Sequence, residues 1–178
     1  MFGDSMGGLS EAMGFSLPVR PVKGQIVLLH CDPGAVRHIV KHDDAYFVPR
    51  LDGRVLVGAS LEDAGFRRGN TVGEVGRLLD AVRRIMPALH DTEIERQWMG
   101  FRPGSPDGLP YIGPVAGKRN LWVATGHYRN GVVLAPVTAD LISRWIMGQA
   151  PELAMDAFSP DRAFADLSGV GYPSPSGG

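Results

Sequence analysis

Apolar positions along the chain alternate at first, then recur at helical spacing, then run together, and that succession predicts its elements. Gly24-Gln25-Ile26-Val27-Leu28-Leu29 is a short apolar run and reads as a strand. Alternation from Val36 to Val40 predicts another, and Tyr46-Phe47-Val48-Pro49 a third, after a turn rich in His and Asp. Leu51-Asp52-Gly53 carries an Asp-Gly turn signal, so Arg54-Val55-Leu56-Val57-Gly58 reads as the return strand of a hairpin. Together these segments predict an antiparallel meander.

The period then changes. Thr71 with Glu74 three residues on has the form of a capping box, which satisfies free N–H groups at a helix start. Val75, Leu78, Leu79, Val82, Ile85 and Met86 follow at helical spacing, and Pro87 marks the stop. Glu93 to Phe101 predicts a further strand carrying Trp98, with Pro103-Gly104 and Asp107-Gly108 bracketing a tight loop. Leu121-Trp122-Val123-Ala124 is compact and apolar and reads as a buried strand, with a parallel partner one option. A loop, Gly126 to Gly131, leads into a predicted amphipathic helix over Val133 to Met147. Pro136 fits that helix only in its first turn, where a missing N–H has no partner to lose. Near the N-terminus, a weak helical stretch from Leu9 to Met13 precedes Pro18 and Pro21; the Ser/Gly/Pro-rich tail beyond Asp166 predicts disorder.

Composition narrows the function classes. Eighteen Lys and Arg against 19 Asp and Glu leave a net charge of −1, which excludes a basic surface for nucleic acid or acidic membranes. No apolar run approaches the roughly 18–20 residues that span a bilayer, and the N-terminus lacks the features of a secretion signal. Cys31 is the only cysteine, so no intrachain disulfide can form and a reducing cytoplasm fits. The 24 Gly and 14 Pro, well above the usual share, predict many shaped loops.

Few residues offer chemistry. The unit from Leu121 to Met147 presents a helix N-terminus suited to an electron-rich ligand atom; a plain strand–turn–helix connection is the alternative. Gly126-x-x-x-x-Gly131 is followed by Val132 and Val133 where a phosphate loop needs Lys and Ser or Thr, and no Gly-x-Gly-x-x-Gly follows any strand. Arg102, before Pro-Gly at a strand end, has the planar fork that matches a carboxylate; Arg129 lies in the glycine-framed loop, and either could instead be an ordinary surface arginine. His38 and His42, with Asp43, Asp44 and Cys31 nearby, complete no metal-ligand pattern, so no metal is expected. Cys31 reads as inert, and no Gly-x-Ser-x-Gly elbow supports covalent hydrolysis.

Longer stretches carry a resemblance. Pro18 to Gln25, Tyr46 to Arg50 and Val57-Gly58-Ala59-Ser60 resemble the flavin-dependent D-amino-acid oxidase family, the glycine oxidases in particular. Gly100-Phe101-Arg102-Pro103-Gly104-Ser105-Pro106-Asp107-Gly108-Leu109-Pro110-Tyr111-Ile112-Gly113 is similar to the same family, as are Gly126 to Pro136 and Phe158 to Arg162. The resemblance runs in order from about Ser16 to Phe164.

It implies an α+β fold: an antiparallel-sheet substrate domain over 18–113 with flanking helices, and a strand–helix return to a Rossmann-like FAD-binding domain over 114–164. Residues 1–17 would be a remnant of an FAD-domain segment and 165–178 a disordered tail. By the resemblance, Arg102 and Tyr46 hold a substrate carboxylate, Arg129 lies near the substrate, and His127, Tyr128, Arg129, Asn130, Gly131, Val132 and Val133 approach FAD. Leu61 would limit side-chain space, or simply fill the core.

The implied activity is oxidation of a small amino acid (glycine, sarcosine or a D-amino acid) to an imine and then an oxo acid. Hydride passes to the flavin, and O₂ is reduced to peroxide. A cytoplasmic flavoprotein with a place in thiamine biosynthesis is implied with it. The family's N-terminal dinucleotide fingerprint has no counterpart here, so the chain is expected to be the C-terminal part of an oxidase. Its partners would then be substrate, O₂ and the missing N-terminal half or a complementing chain, with a homo-oligomer left open. The competing reading is a non-catalytic carboxylate-binding module or an inactive truncated relic.

Overall fold

The computed structural model describes residues 13–43 and 45–165. The weak helix expected from Leu9 lies outside them except for Met13, and the expected tail lies outside them beyond Ala165. The described residues fall into two compact units: one holds residues 23–101, the other residues 13–22 and 102–165.

Strands β1 (Arg20–His30), β2 (Val40–His42), β3 (Ala45–Pro49), β4 (Arg54–Gly58) and β5 (Glu93–Gly104) form one sheet in the order β2-β3-β4-β1-β5, and the first unit holds all of it but the first residues of β1 and the last of β5. The pairs β2–β3, β3–β4 and β1–β4 are antiparallel. The meander therefore holds for β2, β3 and β4, while β1 inserts beside β4. Only Val40 of the strand expected over Val36 to Val40 is paired; Val36 instead packs against the core from a loop.

Period-two burial fixes the inward face of β1, where Lys23, Gln25, Val27 and Leu29 are all buried. Helix α1 (Val72–Ile85) covers the sheet, and Leu78, Ala81 and Val82 join Val27, Leu29, Phe47, Val55 and Val57 in one core. Thr71 Oγ1 accepts from Glu74 N at 3.3 Å, so one half of the expected capping box forms. The other half is replaced: Thr71 N donates to Gln25 Oε1 at 2.8 Å, and the Glu74 carboxylate takes Arg77.

In the second unit, β6 (Tyr111–Pro114) and β7 (Trp122–Thr125) form an antiparallel hairpin, Ile112 opposite Ala124. The strand expected over Leu121 to Ala124 exists, but its partner is antiparallel, because β6, which apolar patterning did not show, lies only a short turn upstream. Its core gathers Leu17, Tyr111, Val115, Val123 and Ala163. Helix α2 (Gly131–Ile146) starts two residues earlier than expected, so Pro136 falls in its second turn and the Val132 carbonyl loses its helical N–H partner. Gly113 sits at φ +142°, where an added Cβ would stand 3.4 Å from the Trp145 ring of α2. A short helix, α3 (Arg162–Ala165), closes the described chain. Among the described residues, no helix is long and apolar enough to cross a membrane.

Candidate functional site

Tyr46 belongs to the first unit. It sits half-buried on β3, directly opposite Gly58 of β4. An ideal Cβ on Gly58 would lie 2.8 Å from the Tyr46 hydroxyl oxygen, 2.9 Å from Cζ and 3.0 Å from Cε2. The ring thus lies over the bare backbone of the neighbouring strand.

The segment that leaves β4 is held by a buried polar cluster that patterning missed. Gln25 N donates to Ser60 Oγ at 2.8 Å, and Gln25 Nε2 donates to Glu62 Oε1 at 2.9 Å and to Thr71 Oγ1 at 3.1 Å. The Ser60 hydroxyl also donates to the Glu62 carboxylate. Lys23 and Glu62 exchange backbone hydrogen bonds, each 3.0 Å, and the fully buried Lys23 Nζ lies 3.5 Å from Glu62 Oε2. Burial by itself raises the Glu62 carboxyl, but Ser60, Gln25 and the Lys23 ammonium together bring it below the usual carboxylate value. Half-buried Leu61 is carried between Ser60 and Glu62. The only sequence trace of this cluster is parity: Lys23 and Gln25 share the inward face of β1 with Val27 and Leu29.

Arg102 lies in the second unit, half-buried near the end of β5. The structure brings its segment together with the glycine-framed loop. Tyr128 N donates to Pro103 O at 2.9 Å, and Gly104 bridges to His127. Gly104 makes a close approach of its own, since a Cβ there would meet Val22 Cγ2 at 3.0 Å. The loop turns sharply, with Gly126 at φ +78° and Tyr128 at φ +50°. Gly126 must lack a side chain: a Cβ would stand 3.3 Å from Tyr111 in a conformation already unfavourable for L-residues.

From that loop α2 begins without a side-chain cap, since Asn130 makes no capping hydrogen bond. Val132 and Val133 in its first turn are 91% and 80% exposed. Arg129 and Asn130 are exposed beside it. His127 is held by a 3.0 Å hydrogen bond between its Nε2 and Thr138 Oγ1 one helical stretch further on, and burial pushes its pKa below the ordinary value.

A second anchor fixes the turn that follows β5. Arg162 Nε donates to Asp107 Oδ2 at 2.9 Å, its Nη2 donates to Leu109 O at 2.6 Å, and its guanidinium lies 3.8 Å above the Tyr111 ring. Burial raises Asp107, yet Arg162 and the Leu109 N–H hold it below the usual carboxylate range. The site residues expected from sequence therefore fall into two groups: Arg102 and His127 to Val133 in one unit, Tyr46 and Leu61 in the other. Among the described residues, no three His, Cys, Asp or Glu are placed to hold a metal ion.

Known proteins share this sequence and architecture. Residues 4–145 match the DAO family, described as FAD dependent oxidoreductase. Glycine oxidase of Pseudomonas putida is 39% identical over 155 residues, spanning 87% of this chain and 42% of that protein. The bifunctional protein ThiO/ThiG of a Synechocystis species is 44% identical over 151 residues, spanning 82% of this chain and 23% of its own length. The crystal structure of glycine oxidase from Geobacillus kaustophilus superposes with a TM-score of 0.83 at 34% identity, over 86% of this chain and 42% of that one. The chain thus spans less than half the length of the relatives it matches.

Proposed function

The chain belongs to the DAO family of FAD-dependent oxidoreductases, and we propose that it serves, within that family, the glycine-oxidase type of reaction: oxidation of a small amino acid. The observation that carries this reading is the pairing of Arg102's strand end with the loop that opens α2. A carboxylate-matching arginine and an uncapped helix N-terminus share one compact unit, tied by the Tyr128–Pro103 hydrogen bond. Similarity to glycine oxidases over most of the chain supports it.

The residues fit an FAD ring. The first N–H groups of α2 have no side-chain cap from Asn130, and Val132 and Val133 in that turn are exposed. Those N–H groups and the helix dipole favour an electron-rich edge or developing negative charge, with His127 to Val133 as the contacting stretch. Bound FAD would supply the two-electron acceptor. The 114–164 segment would then be the return to an FAD-binding domain, completed by residues such as the relatives have beyond the matched part.

The chain's own contribution is orientation. Arg102 would offer two parallel N–H donors to a substrate carboxylate. The Tyr46 hydroxyl, which lies in the other unit, is proposed as a carboxylate donor on the family resemblance alone. The product would be an imine that water converts to an oxo acid, with O₂ taking the electrons as peroxide.

The test is reconstitution. The chain is combined with FAD and an N-terminal FAD-binding segment taken from a related glycine oxidase, and peroxide formation from glycine is followed. Arg102→Ala is expected to lower kcat/KM about 100-fold, the scale of a lost charge-assisted bidentate contact. Unchanged kcat/KM in that variant removes the carboxylate assignment. Glycine binding by the chain without flavin, abolished by Arg102→Ala and with no peroxide on reconstitution, selects a carboxylate-binding module instead.

A further inference from the structure

We propose that Gly58 is a positioning residue for Tyr46: by carrying no side chain, it sets where the Tyr46 hydroxyl stands. The proposal rests on the reading of Tyr46 as a carboxylate-binding residue and goes beyond it by naming what places that hydroxyl.

Register begins the argument. Tyr46 and Gly58 are direct partners across β3 and β4, and Gly58 is also opposite Ile26 of β1, so its backbone is held from both sides. The three atoms nearest an added Cβ all belong to Tyr46, at 2.8 Å, 2.9 Å and 3.0 Å. Gly58 does not occupy the left-handed region, so φ alone does not demand glycine there. The demand comes from the ring.

Magnitudes then separate stability from function. Carbon contacts settle near about 3.5–4.0 Å, so a methyl group at position 58 drives the hydroxyl end outward by about 0.7 Å or more. Tyrosine cannot absorb that by bending its tip; the whole ring must swing. Tyr46 is only half-buried, so the swing meets little resistance and the fold survives. A ligand contact does not tolerate it as well, because a misplacement of about 1 Å can cost on the order of 100-fold. Gly58 therefore acts on carboxylate recognition through Tyr46 without touching the ligand.

The experiment uses the full chain with ring-¹³C tyrosine, followed by NMR during titration with acetate and with glycine as carboxylate probes. In the unaltered chain, cross-relaxation between the Gly58 Hα protons and the Tyr46 ring is expected, and both probes should move the Tyr46 signals. Gly58→Ala is expected to shift the Tyr46 signals before any probe is added and to weaken acetate binding about 10-fold. Tyr46→Phe on its own should weaken acetate, but added to Gly58→Ala it should change little, since the hydroxyl has already left its place.

Unmoved Tyr46 signals in Gly58→Ala, or unchanged acetate affinity, overturns the proposal. Full additivity of the two substitutions overturns it too. Should Gly58→Ala fail to fold, the absence of Gly58–Tyr46 cross-relaxation in the unaltered chain overturns it, and its presence sustains it. An unaltered chain whose Tyr46 signals ignore saturating acetate refutes the Tyr46 assignment itself, before Gly58 is touched.

Discussion

His127 Nε2 and Thr138 Oγ1 stand 3.0 Å apart, joining the loop before α2 to the interior of that helix. Burial holds the imidazole below its ordinary pKa, so the folded state binds its proton less readily than the unfolded chain does. Stability from this group is complete above the unfolded value of about 6.5 and is lost as pH falls toward the depressed folded value. Thermal unfolding should show a midpoint that drops as the pH falls below about 6.5. His127→Gln should flatten that part of the profile; an identical slope would show that His127 is not its source.

Lys23 and Glu62 make an asymmetric pair. Lys23 is wholly buried, whereas the Glu62 carboxylate keeps some exposure and two other donors, Gln25 and Ser60. Glu62→Ala strands a buried ammonium and is expected to cost about 3–5 kcal/mol, whereas Lys23→Met should stay within about 1 kcal/mol of the parent. Urea unfolding of the two variants checks the contrast.

Thr71 caps α1 and also accepts from Gln25 Nε2. Thr71→Ala loses both and should destabilise by about 1–2 kcal/mol. Thr71→Ser retains the hydroxyl and should recover most of it, as read from denaturant midpoints.

Arg162→Ala removes the contacts to Asp107, the Leu109 carbonyl and the Tyr111 ring, an expected loss of about 1–3 kcal/mol. Because Asp107 is held low, its share of stability is present above about pH 4 and disappears as pH falls below it. In Arg162→Ala the acid limb of the stability profile should therefore be shallower, and Asp107→Asn should flatten the same limb.

Local signals in the chain were legible wherever one segment decides the outcome. The Asp52-Gly53 turn, the helix ended by Pro87 and the loop from Gly126 to Gly131 all depend on neighbours in sequence. Partnership across the chain was not legible. Apolar Leu121 to Ala124 looks the same in a parallel or an antiparallel pair, and only β6 decides. Lys23 and Gln25 look like surface residues until Ser60, Glu62 and Thr71 are brought to them. Pro136 shows a related limit, because the helix begins at Gly131 rather than Val133 and so carries it in the second turn. For the site, Arg102 and the loop were identifiable as residue types in a family pattern. The Gly58–Tyr46 contact needed the strand register.

Arg162 closes on Asp107 from 55 positions downstream. On a ribosome, the turn beside Arg102 would stay untied while all of β6, β7 and α2 emerged, and would lock only when α3 followed. The order of synthesis thus makes the turn that follows β5 among the last parts to acquire its final form. A nascent chain would hold its sheet and the helix α2 before that turn was tied.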